Sequence, residues 1–254
     1  MKNQYFGDIH DFKKYTLLNW FMKGCNDKLM VAWYLTNDDD SSDGGKKKYL
    51  EEKIDKENKE FEKNKHIGIC NRELFEFLVK NHQKKNIGVI MEKTNKKYIC
   101  ENGNISFFDK KLDDMDRKEW FNELKQELNK TQCDIVFTDP DNGIKFNNEE
   151  SKKHIKLSEI KELWKMGKSL IVYQHFLMVD HQVLMAGLIY RLYNELKAIN
   201  KPFVAIVYSS NVAMIFILQQ KHKKQFESLK KQLEKCKDLK FLDIFSFNSE
   251  NIKI

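Results

Sequence analysis

At 254 residues, with 41% hydrophobic side chains, the chain is long enough for one large α/β domain and apolar enough to bury a real core. Two prolines and ten glycines argue against a disordered or linker-rich protein. No stretch approaches the roughly 20 apolar residues of a membrane span, and "MKNQYFGDIHDFKKY" carries charge throughout, unlike a secretory signal, so a soluble, cytoplasmic protein with no membrane partner is expected. A net charge of +7 invites nucleic acid as a partner because lysine and arginine neutralise phosphates, yet Arg72, Arg117 and Arg191 are the only arginines, which leaves little material for bidentate base reading.

In chain order, "DFKKYTLLNWFMKG" (11 to 24) sets Phe12, Tyr15, Leu18, Phe21 and Met22 at helical spacing, with Asp11 as the candidate N-cap and Gly24 as the stop. "LMVAWYLT" (29 to 36) is a continuous apolar run, as a strand buried on both faces should be, and it ends in the acidic loop "NDDDSSDGG". "KKKYLEEKIDKENKEFEKNK" (46 to 65) interleaves lysines with acids; it reads as a solvated helix face in a charged insertion at about 40–66 of a single domain spanning 1–254. Helices are expected at "NRELFEFLVKNH", "DMDRKEWFNELKQELNK", "SEIKELWKMGK", from about Asp180 to Asn200, and at "KHKKQFESLKKQLEKC". Strands are expected at "IGVIME" (87 to 92), "NISFFD" (104 to 109), "CDIVFTD", "SLIVYQHF" (169 to 176) and on both sides of the polar turn in "FVAIVYSSNVAMIFIL", before a last apolar "FLDIFSF". Strands alternating with helices predict an α/β fold: a Rossmann-like, doubly wound, mostly parallel sheet with an antiparallel edge from the C-terminal hairpin. Trp20, Trp33, Trp120 and Trp164 read as core.

The chemistry-bearing residues gather at expected strand ends. Asp139, Pro140, Asp141, Asn142 and Gly143 follow "CDIVFT"; that string makes a good turn anywhere, but in an open α/β sheet it lies where ligands bind, beyond the carboxyl ends of the strands. Asp38, Asp39, Asp40 and Asp43 follow one strand and His175 ends another, so successive parallel strands should bring them to one rim. Asp8, His10 and Asp11 could form a small polar site, although helix capping accounts for Asp11 equally well. Cys25, Cys70, Cys100, Cys133 and Cys236 lie far apart with no C-x-x-C pair, and His154, His181 and His222 show no ligand spacing; neither a zinc knuckle nor a disulfide framework is suggested.

The order of elements, with a D-P loop after the fourth main strand and then helix, strand, helix and a closing hairpin, resembles the class I S-adenosylmethionine-dependent methyltransferases. More narrowly it is similar to the large-subunit ribosomal RNA adenine-N6 methyltransferases of the RlmJ type. Their G-x-x-x-D-x-x-K-H motif matches Gly7, Asp11 and Lys14 in "GDIHDFKKY", with Tyr15 for the histidine, and their D-P-P-Y loop matches Asp139, Pro140, Asp141 and Asn142. The strings "FGD", "DPDNG" and "YQHF" are also similar to those of a family of bacterial proteins. The resemblance implies S-adenosylmethionine as cofactor, with Glu92 closing the strand that holds the ribose, Asp109 near the adenine, and Lys14 and Asp38 beside it. It implies methyl transfer to nucleic acid, with Asp139 and the carbonyl of Pro140 orienting the acceptor amine and Asp141, Asn142 and His175 around it. Two positions depart from the pattern: the turn after Leu35 has no glycine before Gly44, and Asp141 and Asn142 cannot stack on a flipped base, a task left to Phe146 or Phe176.

The same residues carry two rival readings. Asp39, Asp40, Asp139 and Asp141, with His175, are hard ligands of the kind Mg²⁺ or Mn²⁺ prefers, which suits a metal-dependent nuclease or phosphohydrolase. A methyltransferase-like scaffold can also serve as a non-catalytic nucleic-acid- or partner-binding module.

Overall fold

The computed structural model describes residues 1–40, 45–50, 70–147, 149–176, 181–209, 211–235 and 247–248. Among the described residues, nine strands are β1 (Leu29–Ala32), β2 (Ile105–Phe108), β3 (Ile135–Thr138), β4 (Gly143–Lys145), β5 (His154–Lys156), β6 (Ser169–His175), β7 (Phe203–Ser209), β8 (Val212–Leu218) and β9 (Phe247–Asn248). Seven of them form one sheet in the order β2-β1-β3-β6-β8-β7-β9, and β4 pairs with β5 alone. β2, β1, β3 and β6 run parallel, with Leu29 opposite both Ile105 and Ile135, and Ile135 opposite Ser169. β8 is antiparallel to β6 and to β7. The fold is therefore α/β and Rossmann-like, with a mostly parallel sheet and an antiparallel C-terminal part.

The α-helices are α1 (Ile9–Met22), α2 (Arg72–Asn81), α3 (Arg117–Thr131), α4 (Leu157–Lys165), α5 (His181–Leu196) and α6 (Lys223–Lys235). The two-residue period of the strands sorts the core into two layers. Leu29, Val31, Ile135, Phe137, Ile171 and Phe216 face α1, α2 and α6, whereas Met30, Ala32, Val136, Leu170, Val172 and Ile217 face α3, α4 and α5. Strands buried on both faces read as unbroken apolar runs, which is why "LMVA", "IVF" and "LIV" were visible in the sequence. Trp33, Trp120 and Trp164 are fully buried and Trp20 nearly so, as expected of core residues. No helix among the described residues is long and apolar enough to cross a membrane.

Three expectations need correction. The run 87 to 92 is a 3-10 turn, Ile87–Met91, rather than a strand. The Asn86 side chain accepts from Gly88 N–H, and Ile87, Val89 and Ile90 pack onto the α1 and α2 layer instead of joining the sheet. The helix cap of α1 is Asp8, which accepts from His10 N–H, while Asp11 sits inside the helix. The strand from Leu29 stops at Ala32, because Tyr34 adopts φ +51°, a left-handed conformation that a bulky residue rarely takes. As expected, the C-terminal hairpin supplies the antiparallel edge of the sheet: β8 pairs with β6, β7 pairs with β8, and β9 adds on the outer side of β7. Of the charged insertion at about 40–66, residues 41–44 and 51–66, and with them Asp43, lie outside the described residues; Lys48–Leu50 is a single 3-10 turn.

Candidate functional site at the carboxyl rim

β1 has its sequence successor β2 on one side and β3 on the other, so the strand order reverses between β1 and β3, where open α/β sheets place their ligand crevices. Asp139 is the first residue past β3, and its N–H donates to Ala32 O at the end of β1 at 3.0 Å. Asp139, Asp39 and His175 thus lie toward one rim, as the parallel register demands.

The centre of the rim is a buried ion triad. Lys14 Nζ is 2.6 Å from Asp139 Oδ2 and 2.9 Å from Asp11 Oδ1. Asp11 Oδ2 accepts from Gly7 N–H at 3.0 Å, and Lys14 lies 4.8 Å from the centre of the Tyr173 ring. Burial alone would push the ammonium of Lys14 down, but Asp11 and Asp139 outweigh it and hold its pKa well above the ordinary lysine value. Burial raises the carboxyls of both Asp11 and Asp139, and Lys14 only partly offsets this, as one ammonium shared by two carboxylates must.

The glycines of both motifs have steric reasons. Gly7 has φ +84°, and an added Cβ would come within 2.6 Å of His82 Cβ. Gly143 has φ +93°, and a Cβ there would lie 2.3 Å from Gln174 Oε1. That amide is a brace for the loop: Gln174 Oε1 accepts from Ile144 N–H, and its Nε2 donates to Asn142 O and His175 O. Gly143→Ala should therefore cost about 1 to 3 kcal/mol, the strain of a left-handed non-glycine residue plus a displaced brace. Chemical denaturation of the variant measures it; wild-type stability would show that the loop adapts freely.

The remaining candidates are placed as follows. Pro140 is buried and Asn142 is exposed, its N–H donating to Lys153 O at 2.8 Å. Asp141 is 2.6 Å from the amino nitrogen of Met1, which also donates to Tyr34 O. Asp38 accepts from Gln4 N–H, and Asp39 bonds Lys2 and the Gln4 side chain. Asp40 and Asp109 are exposed, and Asp109 directly follows β2. Glu92, in the turn after Met91, accepts from the Asn95 side chain and closes no strand. His175 is exposed at the end of β6, with Nε2 2.9 Å from Asn211 Nδ2, and its pKa is lowered by burial of the ring and by Lys46. Phe176 is buried against Tyr208, and Phe146 lies beneath the guanidinium of Arg191, so both rings are engaged within the fold.

Two features escaped sequence reading. Residues 1 to 4 run alongside residues 34 to 39: Thr36 N–H donates to Met1 O, joining the Gln4 and Lys2 bonds to Asp38 and Asp39. Beside them lies a strip of lysines. Lys46 is tied to the start of α1 through Ile9 N–H and the Asp8 carboxylate, and Lys47 Nζ donates to Gln4 O. Burial, together with Lys46, Lys14 and Lys13, drives His10 down to a pKa of about 3. Lys85 similarly adds to the effect of burial in lowering Lys47. Lys13, whose Nζ donates to Ser209 Oγ at the end of β7, Lys46, Lys47 and Lys85 thus line one side of the rim.

Compared with protein-family models and with curated proteins, the sequence matches none.

Proposed function

We propose that this protein binds nucleic acid on a methyltransferase-like scaffold, with the lysine strip at the carboxyl rim as the phosphate-binding surface and the D-P-D-N loop as its internal support. The observation that carries the reading is the strip itself: Lys13, Lys46, Lys47 and Lys85 flank one strand-end rim, where, beyond burial, Lys46 and Lys13 help lower His10 and Lys85 helps lower Lys47. Binding without chemistry is supported by how the carboxylates are used. Asp139 is 2% exposed and committed to Lys14, whose ammonium stands where a divalent ion would sit between Asp11 and Asp139. S-adenosylmethionine does not fit the residues that the resemblance would assign to it: the backbone after β1 is covered by residues 1 to 4, Tyr34 takes the left-handed conformation with its ring packed on Trp120, and Glu92 closes no strand.

A second reading, methyl transfer to nucleic acid, has its own observation. The two motifs of the resemblance, 125 residues apart in sequence, meet in the Lys14 and Asp139 pair. Fluorescence anisotropy with labelled single- and double-stranded RNA and DNA tests the binding reading, and its failure with every probe rejects it. Calorimetric titration with S-adenosylmethionine and its demethylated product is expected to give no saturable heat. Stoichiometric heat would instead favour the transferase, and probe cleavage on adding Mg²⁺ or Mn²⁺ would favour the metal-dependent hydrolase.

A further inference from the structure

At the opposite rim, where the parallel strands begin, three residues of different donor chemistry converge. Cys25 and Asp27 precede β1, and His222 follows β8, whose end lies beside the start of β6. One ligand atom from each, the sulfur, a carboxylate oxygen and an imidazole nitrogen, lies within 4.8 Å of the other two. His222 Nε2 is 2.5 Å from Asp27 Oδ2. The second ring nitrogen is already oriented: His222 Nδ1 is 2.7 Å from Ser169 Oγ, which also accepts from Gln219 N–H at 2.8 Å.

We infer that Cys25, Asp27 and His222 form a binding site for a borderline-soft divalent transition metal of the Zn²⁺ class. A thiolate, an imidazole and a carboxylate make a three-ligand set typical of that ion, and atoms within 4.8 Å of each other can close onto a centre with ligand distances of roughly 2.0 to 2.3 Å. Ser169 plays the supporting part such sites need. With the Nε2 lone pair on the metal, the ring's proton sits on Nδ1 and Ser169 Oγ, 2.7 Å away, accepts from it and holds the ring in place. Asp27 is 35% exposed while His222 is fully buried, so the cluster has a solvent side where water can complete a tetrahedron. Lys221 is 3.7 Å from Asp27 but is held closer by Asp134, at 2.9 Å, which keeps its ammonium to one side. A bound ion would tie the segment entering β1 to the segment leaving β8, across β3 and β6.

The test uses the full chain, stripped with a chelator and re-equilibrated with Zn²⁺ or Co²⁺. Expected are one zinc retained per chain after gel filtration, a higher melting temperature with zinc, and a near-ultraviolet thiolate-to-cobalt absorption band that Cys25→Ser abolishes. Asp27→Asn, at a partly exposed position that the fold should tolerate, is expected to weaken zinc binding by at least about 10-fold. Absence of retained zinc, a cobalt band that survives Cys25→Ser, or wild-type zinc affinity in Asp27→Asn would each overturn the assignment. The first would leave the three residues as a hydrogen-bonded cluster, and the second would move the metal to another thiol.

Discussion

Lys14→Met is expected to destabilise the fold by about 3 to 5 kcal/mol, because removing one partner of a buried ionic cluster leaves the others charged and uncompensated. For a chain of this size each kcal/mol shifts the melting temperature by roughly 2 to 4 °C, so the variant should melt on the order of 10 °C lower. Methionine fills similar space, which separates the loss of charge from the loss of volume. Asp139→Asn should behave differently. Lys14 keeps Asp11 at 2.9 Å, the amide still accepts a hydrogen bond, and one of two carboxylates sharing a single ammonium is gone; the expected cost is within about 1 kcal/mol. The pH dependence follows from the directions of the shifts. Lys14 is raised, so its contribution is complete below the ordinary lysine pKa and is lost only as pH rises through the higher folded value. Asp11 and Asp139 are raised, so their ionised forms burden the folded state above their folded pKa, and the burden disappears as pH falls below ordinary carboxylate values. Acidification should therefore narrow the gap between Lys14→Met and wild type as the stranded carboxylates take up protons. Urea denaturation at neutral and mildly acidic pH measures this; equal losses for the two variants, or a gap that widens in acid, would reject the triad as the rim's support.

The legible part of this molecule was what periodicity records. Strands buried on both faces must be continuously apolar, so β1, β3 and β6 announced themselves, and amphipathic helices such as α3 and α6 did the same through their spacing. Periodicity could not tell "IGVIME" from a buried strand, because a short apolar run satisfies either geometry and the decision lay with Asn86 and the packing of Ile87 and Ile90 on α1. The insertion of β8 between β6 and β7 was equally hidden, since a hairpin reads the same whether its second strand lies inside or outside. At the site, Lys14, Asp11 and Asp139 were singled out separately, but their contact depends on the fold bringing the start of α1 against the end of β3. Sequence spacing likewise missed Cys25, Asp27 and His222, which meet only because β8 runs backward beside β6. Tyr34 gave no signal at all: its left-handed backbone is sustained by Trp120 at 4.6 Å and by the Arg117 guanidinium at 4.8 Å, neither of which is near it in sequence.

Reversing the charge of Lys46, Lys47 and Lys85 together should weaken nucleic-acid binding by on the order of 10²- to 10³-fold at moderate salt, because every phosphate that a lysine no longer neutralises keeps its condensed counterion, and the entropy of releasing that ion is forfeited. The slope of log affinity against log salt should become shallower by about 2 to 3, the amount expected for three phosphates at roughly 0.9 each on duplex DNA, or slightly less on a single strand. The fold should tolerate the change, since Lys46 and Lys85 are exposed and the bonds tying Lys46 to α1 run through its backbone rather than its side chain. Lys47→Glu alone gives up its side-chain bond to Gln4 O, so a Lys46→Glu, Lys85→Glu pair separates that structural contribution from the electrostatic one. As a control, charge reversal of Lys130 and Lys165, which close α3 and α4 away from the strip, should leave affinity and slope close to wild type. If the control pair lowers affinity as much as the strip variants, binding follows from net charge alone and the rim is not the surface. If the strip variants bind as wild type while their melting temperature is unchanged, the lysines serve solvation and the proposed function fails at its central observation.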